Sequence, residues 1–363
     1  AQTLRYALPD VSGDVVIRDG TVRIADDVFK NHAITSVQLP DSLQKIGNYA
    51  FEFCNELKEV NFPEGLITID GAAFAYCTQL ENVVLPEGLK YLGDSAFRSC
   101  DSLTEITVPE GITFMSGTFA TCYSLRTVNL PSGLTHMMNG VVEGCRSLET
   151  LHLPAKLESI HGSWPSSLKT ITTAFGSVRY VSEDGILYDT QENSIVFVNA
   201  SITGHVTVRD GITKIGEGAF KSRKGLTSVT LPESCTVIDS YAFENCTALT
   251  DINFPEKLEL IGRNAFYNSG ITSLKLSQPG LHVGSFAFAY CHQLKSVEIT
   301  STDFDMMEYA FANCENLETA ILPPQVFRME GGCFTECTSL TTVVLPKNIT
   351  DVHGFKGCTS LKT

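Results

Sequence analysis

Apolar residues recur along this chain in a fixed frame that is neither helical nor a simple alternation. Residues 80–100, LENVVLPEGLKYLGDSAFRSC, show it in full. A Leu is followed by two variable positions, Val, one variable position and Leu-Pro, then Gly-Leu, Leu-Gly, Ala-Phe and a Cys three residues after the Phe. The frame returns as LKEVNFPEGLITIDGAAFAYC from Leu57 and as LTDINFPEKLELIGRNAF from Leu249. Self-similarity at 22 to 23 residues predicts a solenoid, whose units cannot bury their apolar side alone and must stack on their neighbours.

Within each unit the V-x-L alternation predicts a short strand, with Val and Leu inward and the residues beside Val outward. Such strands are expected at 34–39, 57–62, 80–85, 103–108, 125–130 and 148–153, and again at 226–231, 249–254, 271–276, 294–299, 317–322 and 340–345. The first six are expected to form one parallel sheet, each strand ended by a Pro that has no amide hydrogen for the ladder. A second extended piece follows (44–47, 68–70, 91–93), then the aromatic anchor. Phe29, Phe51, Phe74, Phe97 and Phe119 form the first run of anchors, and seven more run from Phe220 to Phe355. With Val142 and Trp164 in the same place, they mark about fourteen coils. Each ring is expected to pack on the one before it.

Residues 1–12 read as an irregular lead-in. GDVVIRDGTVRIADDVF from Gly13 aligns without gaps to GHVTVRDGITKIGEGAF from Gly204, so two arrays start alike. Between them the frame breaks. Residues 173–203 hold Glu183-Asp184-Gly185 and a polar 189–193 stretch between apolar runs, the signals of a small antiparallel β-hairpin insert. The expected organisation is thus an N-terminal array at 1–172, the insert at 173–203 and a C-terminal array at 204–363, in one continuous solenoid. The chain begins without Met or leader, which reads as a mature form. It stops within another strand segment, so the parent protein is expected to continue.

Composition changes this picture little. A hydrophobic content of 43% with 18% charged residues belongs to a folded protein, and no apolar run is long enough for a transmembrane helix. The net charge of -15 repels phosphate backbones and argues against nucleic acid as a partner. Of twelve cysteines, ten sit three residues after an anchor; Cys235 and Cys333 take other inward positions of the frame. All twelve are read as small buried hydrophobes, with stacking disulfides between neighbouring coils as the alternative. No zinc spacing occurs, and no GxSxG, HExxH, GxxxxGK or helix-opening GxGxxG motif. The eight histidines are scattered over different coils and read as surface residues, although His136, His152 and His161 fall in successive coils. Asp303 and Asp305 lack the spacing of a calcium loop. No catalytic, cofactor-binding or metal-binding residue is assigned, and no cofactor is expected.

The recurring LxxVxLPxxLxxIGxxAFxxC frame, from Ile34 to Leu361, resembles the BspA-like leucine-rich repeats of surface proteins from Bacteroides, related bacteria and some parasitic protists. The EDGILYDTQENSIVFV stretch followed by VTVRDGITKIGEGAF is also similar to a segment common in that family. The resemblance implies a β-rich leucine-rich-repeat solenoid. It further implies an exported protein that binds host or neighbouring-cell components through its repeat surface. The family offers no catalytic residues to carry over.

The outward strand residues form the candidate binding face. Its members are Gln38, Glu59, Asn61, Asn82, Glu105, Thr107, Asn129 and His152, then Asp251, Asn253, Lys275 and Glu298. A spacing of about 4.8 Å per coil makes this a row of ~60 Å on the concave side of the solenoid. Ile321 and Val344 are expected to be its only exposed apolar patch. The plain alternative is a solvated sheet, because Thr, Ser and Asn suit exposed strands and the face lacks Trp, Tyr and Arg. The expected function is a monomeric cell-surface or secreted adhesion protein that recognises an extracellular protein or glycan. A structural stalk is the alternative. A glycan hydrolase using Glu59 and Glu105 has least support, since an open sheet offers no enclosure. The sequons at Asn199, Asn245 and Asn348 matter only in a eukaryote.

Overall fold

The structure is a computed structural model that describes residues 2–301, 305–322, 331–345 and 353–362. Asp303 and Asn348 therefore lie outside the described residues. The chain divides into two compact units, Ala1–Val181 and Ser182–Thr363. In both, a parallel β-solenoid is built coil upon coil, and the only helical element among the described residues is the 3-10 turn His353–Phe355.

In the first unit each coil crosses two parallel ladders before its anchor turn. The broad ladder joins Ser12–Val16, Ala33–Gln38 and Glu59–Asn61, with one bridge onward to Asn82. Further along, Glu105–Thr107 pairs with Thr127–Asn129, and Thr150–Leu153 with Thr170–Thr173. The narrow ladder runs through Gln2–Leu4, Thr21–Ile24, Lys45–Ile46, Thr68–Ile69 and Tyr91–Leu92, then through Phe114–Ser116, His136–Met138 and Ser159–Ile160. Val37, Val60, Val83, Ile106, Val128, Leu151 and Ile171 point inward and are buried.

Two expectations are corrected here. The lead-in is not irregular throughout: Gln2–Leu4 pairs with Thr21–Ile24 as the first narrow rung and Ser12 opens the first broad strand, while residues 5–11 between them hold no strand. The broad strands are also short, two to six residues, and form separate ladders, not one sheet. Proline is the physical reason. It ends each strand early, and its carbonyl then accepts the N–H three residues on, as in Leu43 to Pro40 (2.9 Å) and Leu66 to Pro63 (3.0 Å). With so few rungs per coil, a small offset is enough to separate one ladder into several.

The second unit repeats the scheme. Its broad strands are Gly204–Thr207, Leu226–Thr230 and Asp251–Ile252, then Ser273–Leu276, Ser296–Ile299, Thr319–Ile321 and Thr342–Val344. Ile186–Asp189 runs antiparallel to Ser194–Val198. Ser194 and Ile195 pair in turn, parallel, with Lys214 and Ile215, so this strand is also a rung of the narrow ladder. The repeated start of the arrays is visible in the backbone: Gly13 and Gly204 hold φ of 72° and 73°, and Gly20 and Gly211 hold 83° and 86°.

The third side of each coil is the anchor turn. Phe51 sits at its centre and donates its N–H to Ala73 of the next coil at 2.8 Å. Tyr49 and Phe53, two residues before and after, donate likewise to Gly71 (3.0 Å) and Ala75 (2.9 Å). Glu52 and Cys54 donate back within the turn, to Tyr49 and Phe51. This alternation holds the two flanking residues in the left-handed region, and the pair recurs at 27/31, 72/76, 95/99, 241/245, 264/268, 286/290 and 309/313. A non-glycine residue there costs on the order of 1–2 kcal/mol. The anchor rings stack at 5.1, 5.0, 5.4 and 6.2 Å from Phe29 to Phe119, and at 4.8 to 5.5 Å from Phe220 to Phe355. Val142 is buried in the same place, and Trp164 is half-buried. The Gly of the Leu-Gly pair is also fixed by packing, since a Cβ at Gly93 would collide with the backbone of Asp70 and Gly71.

All twelve cysteines are reduced thiols, eleven of them buried and Cys358 half-buried. Their role exceeds that of a small hydrophobe. Each of the ten that follow an anchor donates Sγ–H to the carbonyl of the preceding anchor Phe, at 3.0 to 3.3 Å, from Cys54 on Phe29 to Cys358 on Phe334. Where the frame lacks Cys, another hydrogen-bonding side chain stands three residues after the anchor. His32 lies 2.9 Å from the Leu8 carbonyl, Ser167 donates to Cys145 O at 2.8 Å, and the Arg223 Nε donates to Val198 O. Ser269 lies 3.3 Å from the Cys291 sulfur. Burial pushes the thiols of Cys54, Cys145 and Cys246 up to about 12 and lowers Arg223 to about 10.

Phe266→Ala should cost about 3–5 kcal/mol in urea unfolding, and Phe355→Ala, at a half-buried ring, clearly less. The thiols set an alkaline limit. An unfolded thiol ionises near its ordinary 9.0, whereas Cys54 and Cys145 hold their protons to about 12. Their contribution is therefore complete below pH 9.0 and is lost as the pH rises toward 12. Raising the pH from about 8 to about 10 should lower the urea midpoint of the wild type more than that of a Cys54→Ala/Cys145→Ala variant. Equal falls would show that other groups govern the alkaline loss.

Candidate functional site

Period-two alternation turns every second residue of the broad strands to solvent, and the stack aligns these residues in columns. In the first unit they line shallow grooves. Asp14, Ser36, Gln38, Glu59, Asn61, Asn82 and Val84 border one of about 650 Å³, together with Phe62, Glu64 and Pro86. Val84, Glu87, Glu105, Thr107 and Asn129 border a second of about 270 Å³. His152 borders a third, of about 390 Å³, with Glu110, Lys156, Pro154 and the exposed Phe175. In the second unit Asp251, Asn253 and Lys275 are exposed on the equivalent strands, and Glu298 is half-buried.

Several of these side chains have work inside the fold. Asn61 Oδ1 accepts the Leu39 N–H at 2.8 Å while its Nδ2 donates to Leu39 O at 3.2 Å. Asn253 treats Leu231 in the same way, at 2.6 and 2.9 Å. The carboxamide copies one peptide rung at the position where Pro40 and Pro232 end the strand. Asn129 Nδ2 donates to Thr107 Oγ1 at 3.0 Å, His152 Nδ1 lies 2.9 Å from Thr172 Oγ1, and Lys275 pairs with Glu298 at 3.1 Å. The exposed pair is worth little in stability.

The electrostatics are one-sided. The residues lining the first two grooves include Asp14, Glu59, Glu64, Glu87 and Glu105 and no basic side chain. Ser36 and Thr35 donate to Asp14 Oδ1 at 2.6 and 2.8 Å and hold its carboxyl below the usual range. Ser132 does the same for Glu110, through its hydroxyl at 2.7 Å and its N–H at 3.0 Å. Both carboxylates are therefore fixed in place and ionised.

Asp14 heads the column that Ser36 and Glu59 continue, yet it escaped the sequence reading because the first coil lacks the Leu-Pro that marks its register. The apolar content of the face was also underestimated. Ile321 and Val344 are exposed register partners, but Val84 and Val16, at 80% and 73% exposure, stand on the same face of the first unit. Glu59 and Glu105, the carboxylates of the hydrolase reading, line different grooves. His136 lies in the narrow ladder and His152 in the broad one, so these two are not brought together. Among the described residues no group of three or more His, Cys, Asp or Glu is placed to hold a metal ion, and no helix is long and apolar enough to cross a membrane.

Solved structures repeat this architecture. A leucine-rich cell surface protein from Faecalibacterium prausnitzii is 29% identical over 94% of this chain and 89% of its own, with a TM-score of 0.73. A leucine-rich repeat protein from Bacteroides ovatus (24% identity, 97% and 88% coverage, TM-score 0.55) shares the fold. So does the pneumococcal vaccine antigen PcpA (16% identity, 94% and 86% coverage, TM-score 0.64). No curated protein matches the chain. The BspA type leucine rich repeat region, in six copies, matches residues 22–118, 113–184, 190–280 and 259–363. The chain therefore belongs to the BspA-type leucine-rich repeat family.

Proposed function

We propose that this chain is a cell-surface or secreted recognition protein, monomeric, that holds a macromolecule of a host or neighbouring cell on its broad-strand face. The observation that carries this reading is the acidic groove system of the first unit. Asp14 and Glu59 stand in register two coils apart on the stacked backbone, so their spacing is set before any partner arrives. A polar face with Val16 and Val84 exposed among carboxylates suits a protein partner that presents basic and apolar groups together. The likeness to a protein described as a leucine-rich cell surface protein supports the location. The net charge of -15 disfavours nucleic acid.

A second reading, a stalk that spaces another domain, draws support from the same face. Asn61 and Asn253 serve the fold, and Lys275 and Glu298 satisfy each other. Residues so occupied contribute less to a partner.

Binding of the purified chain to arrays of extracellular-matrix proteins and glycans, at low and high salt, separates the two readings. Recognition predicts a saturable hit that weakens with salt and is lost on charge reversal at Glu59, Glu105 and Asp251. Silence on both arrays from a folded monomer would favour the stalk.

A further inference from the structure

The third groove of the first unit differs in charge from its neighbours. The first two carry carboxylates and no basic side chain, whereas this cavity of about 390 Å³ brings Lys156 and His152 beside Glu110. It shares no lining residue with either of them. The cavity lies where the broad ladder is interrupted, since Thr127–Asn129 and Thr150–Leu153 belong to separate sheets. Pro109, Pro131 and Pro154 end successive broad strands, so Glu110 and Ser132 hold equivalent places in adjacent coils. Lys156 stands one residue beyond that place in the coil that follows.

The opposite charges share the cavity without closing on each other. Ser132 donates to the Glu110 carboxylate through its hydroxyl at 2.7 Å and its N–H at 3.0 Å. These bonds, and more weakly the nearby Lys156 ammonium, hold the carboxyl below its usual range, so Glu110 is fixed and ionised. Among the described residues Lys156 nevertheless takes no ion pair, with Glu110 or any other carboxylate. His152 is occupied by Thr172 Oγ1 at 2.9 Å, which leaves Lys156 as the free cation of the site. Leu130, Pro154 and Ala174 supply apolar walls. Phe175 borders the same cavity and is fully exposed, so both ring faces are open. Its backbone is nonetheless held: Ala174 donates to Leu153 O at 2.9 Å, and Ser177 donates to Ala174 O at 3.2 Å. Gly176, with φ of 86°, completes that turn.

We propose that this cavity binds a free aromatic amino acid as its zwitterion. The α-ammonium pairs with Glu110 and the α-carboxylate with Lys156, while the side chain packs on the Phe175 ring and the Pro154 and Leu130 walls. Mostly apolar walls with a few placed polar groups, at this volume, are the usual form of a small-ligand site. The pair of opposite charges supplies the selectivity. A ligand with one charge leaves the other side chain unmatched and is penalised for it. The site is independent of the acidic grooves and of the macromolecular partner assigned to them.

Ligand-observed NMR titration tests this with three probes: L-phenylalanine, phenethylamine, which lacks the carboxylate, and 3-phenylpropionate, which lacks the ammonium. L-phenylalanine should bind saturably, and each singly charged analogue about tenfold more weakly or worse. Lys156→Gln should bring L-phenylalanine down to the level of phenethylamine, and Phe175→Ser should weaken all three probes. Both side chains are exposed, so these variants should keep the wild-type unfolding midpoint. Glu59→Lys, in a different groove, should leave the binding unchanged. No saturable binding of L-phenylalanine, equal affinity for either analogue, or undiminished binding by the Lys156 or Phe175 variant would overturn the proposal.

Discussion

Closing a coil of 22 to 23 residues aims backbone N–H and C=O groups along the stacking direction, where each must meet a partner in the neighbouring coil or be buried without one. The rest of the structure depends on that constraint. On two sides of the coil, ladders only two to six residues wide meet it. On the third side no strand is possible, because the chain must turn. There the alternation of left-handed residues aims every second N–H at the next coil, and the Cys thiol reaches back to the carbonyl of the previous anchor. Hydrogen bonding and ring stacking repeat together, so each coil is fixed to its neighbours on all three sides.

This explains why Cys recurs at the third position after the anchor. In most coils the site is fully buried and must fill a small volume while donating one hydrogen bond. Alanine would fill it without donating, and Ser is more costly to bury. Where the frame departs from Cys, the substitutes His32, Ser167, Arg223 and Ser269 all bring a polar hydrogen or ring nitrogen.

The repeat, its coil number and its inward residues were legible in the sequence, because Leu, Val, Pro, Phe and Cys recur in register and side-chain period betrays burial. What failed to show was set by the backbone. Gln2–Leu4 looks irregular because a narrow rung needs only two or three residues and leaves no periodic signature. The bond from a thiol to a carbonyl 24 to 26 residues earlier cannot be inferred from a column that also reads as hydrophobic. The outward strand columns were legible as columns. That Asn61 and Asn253 stand in for missing peptide rungs was not, because the same Asn on an exposed strand also reads as a binding residue.

The two outer surfaces consequently carry different information. On the broad strands the backbone is extended and relaxed, so Thr, Ser, Asn and Glu are what exposure alone would select, and their presence argues weakly for any ligand. At the anchor turn the backbone is left-handed, and exposure alone would select Gly, Asn or Asp. An aromatic ring there runs against the local conformational preference and gains only partial burial in return. Part of that cost is offset by stacking between neighbouring turns, as where Tyr309 lies on Phe286 at 5.0 Å and Phe53 on Tyr76 at 4.5 Å. The turn surface, overlooked when the chain is read for strands alone, is where residue identity departs furthest from what the scaffold requires.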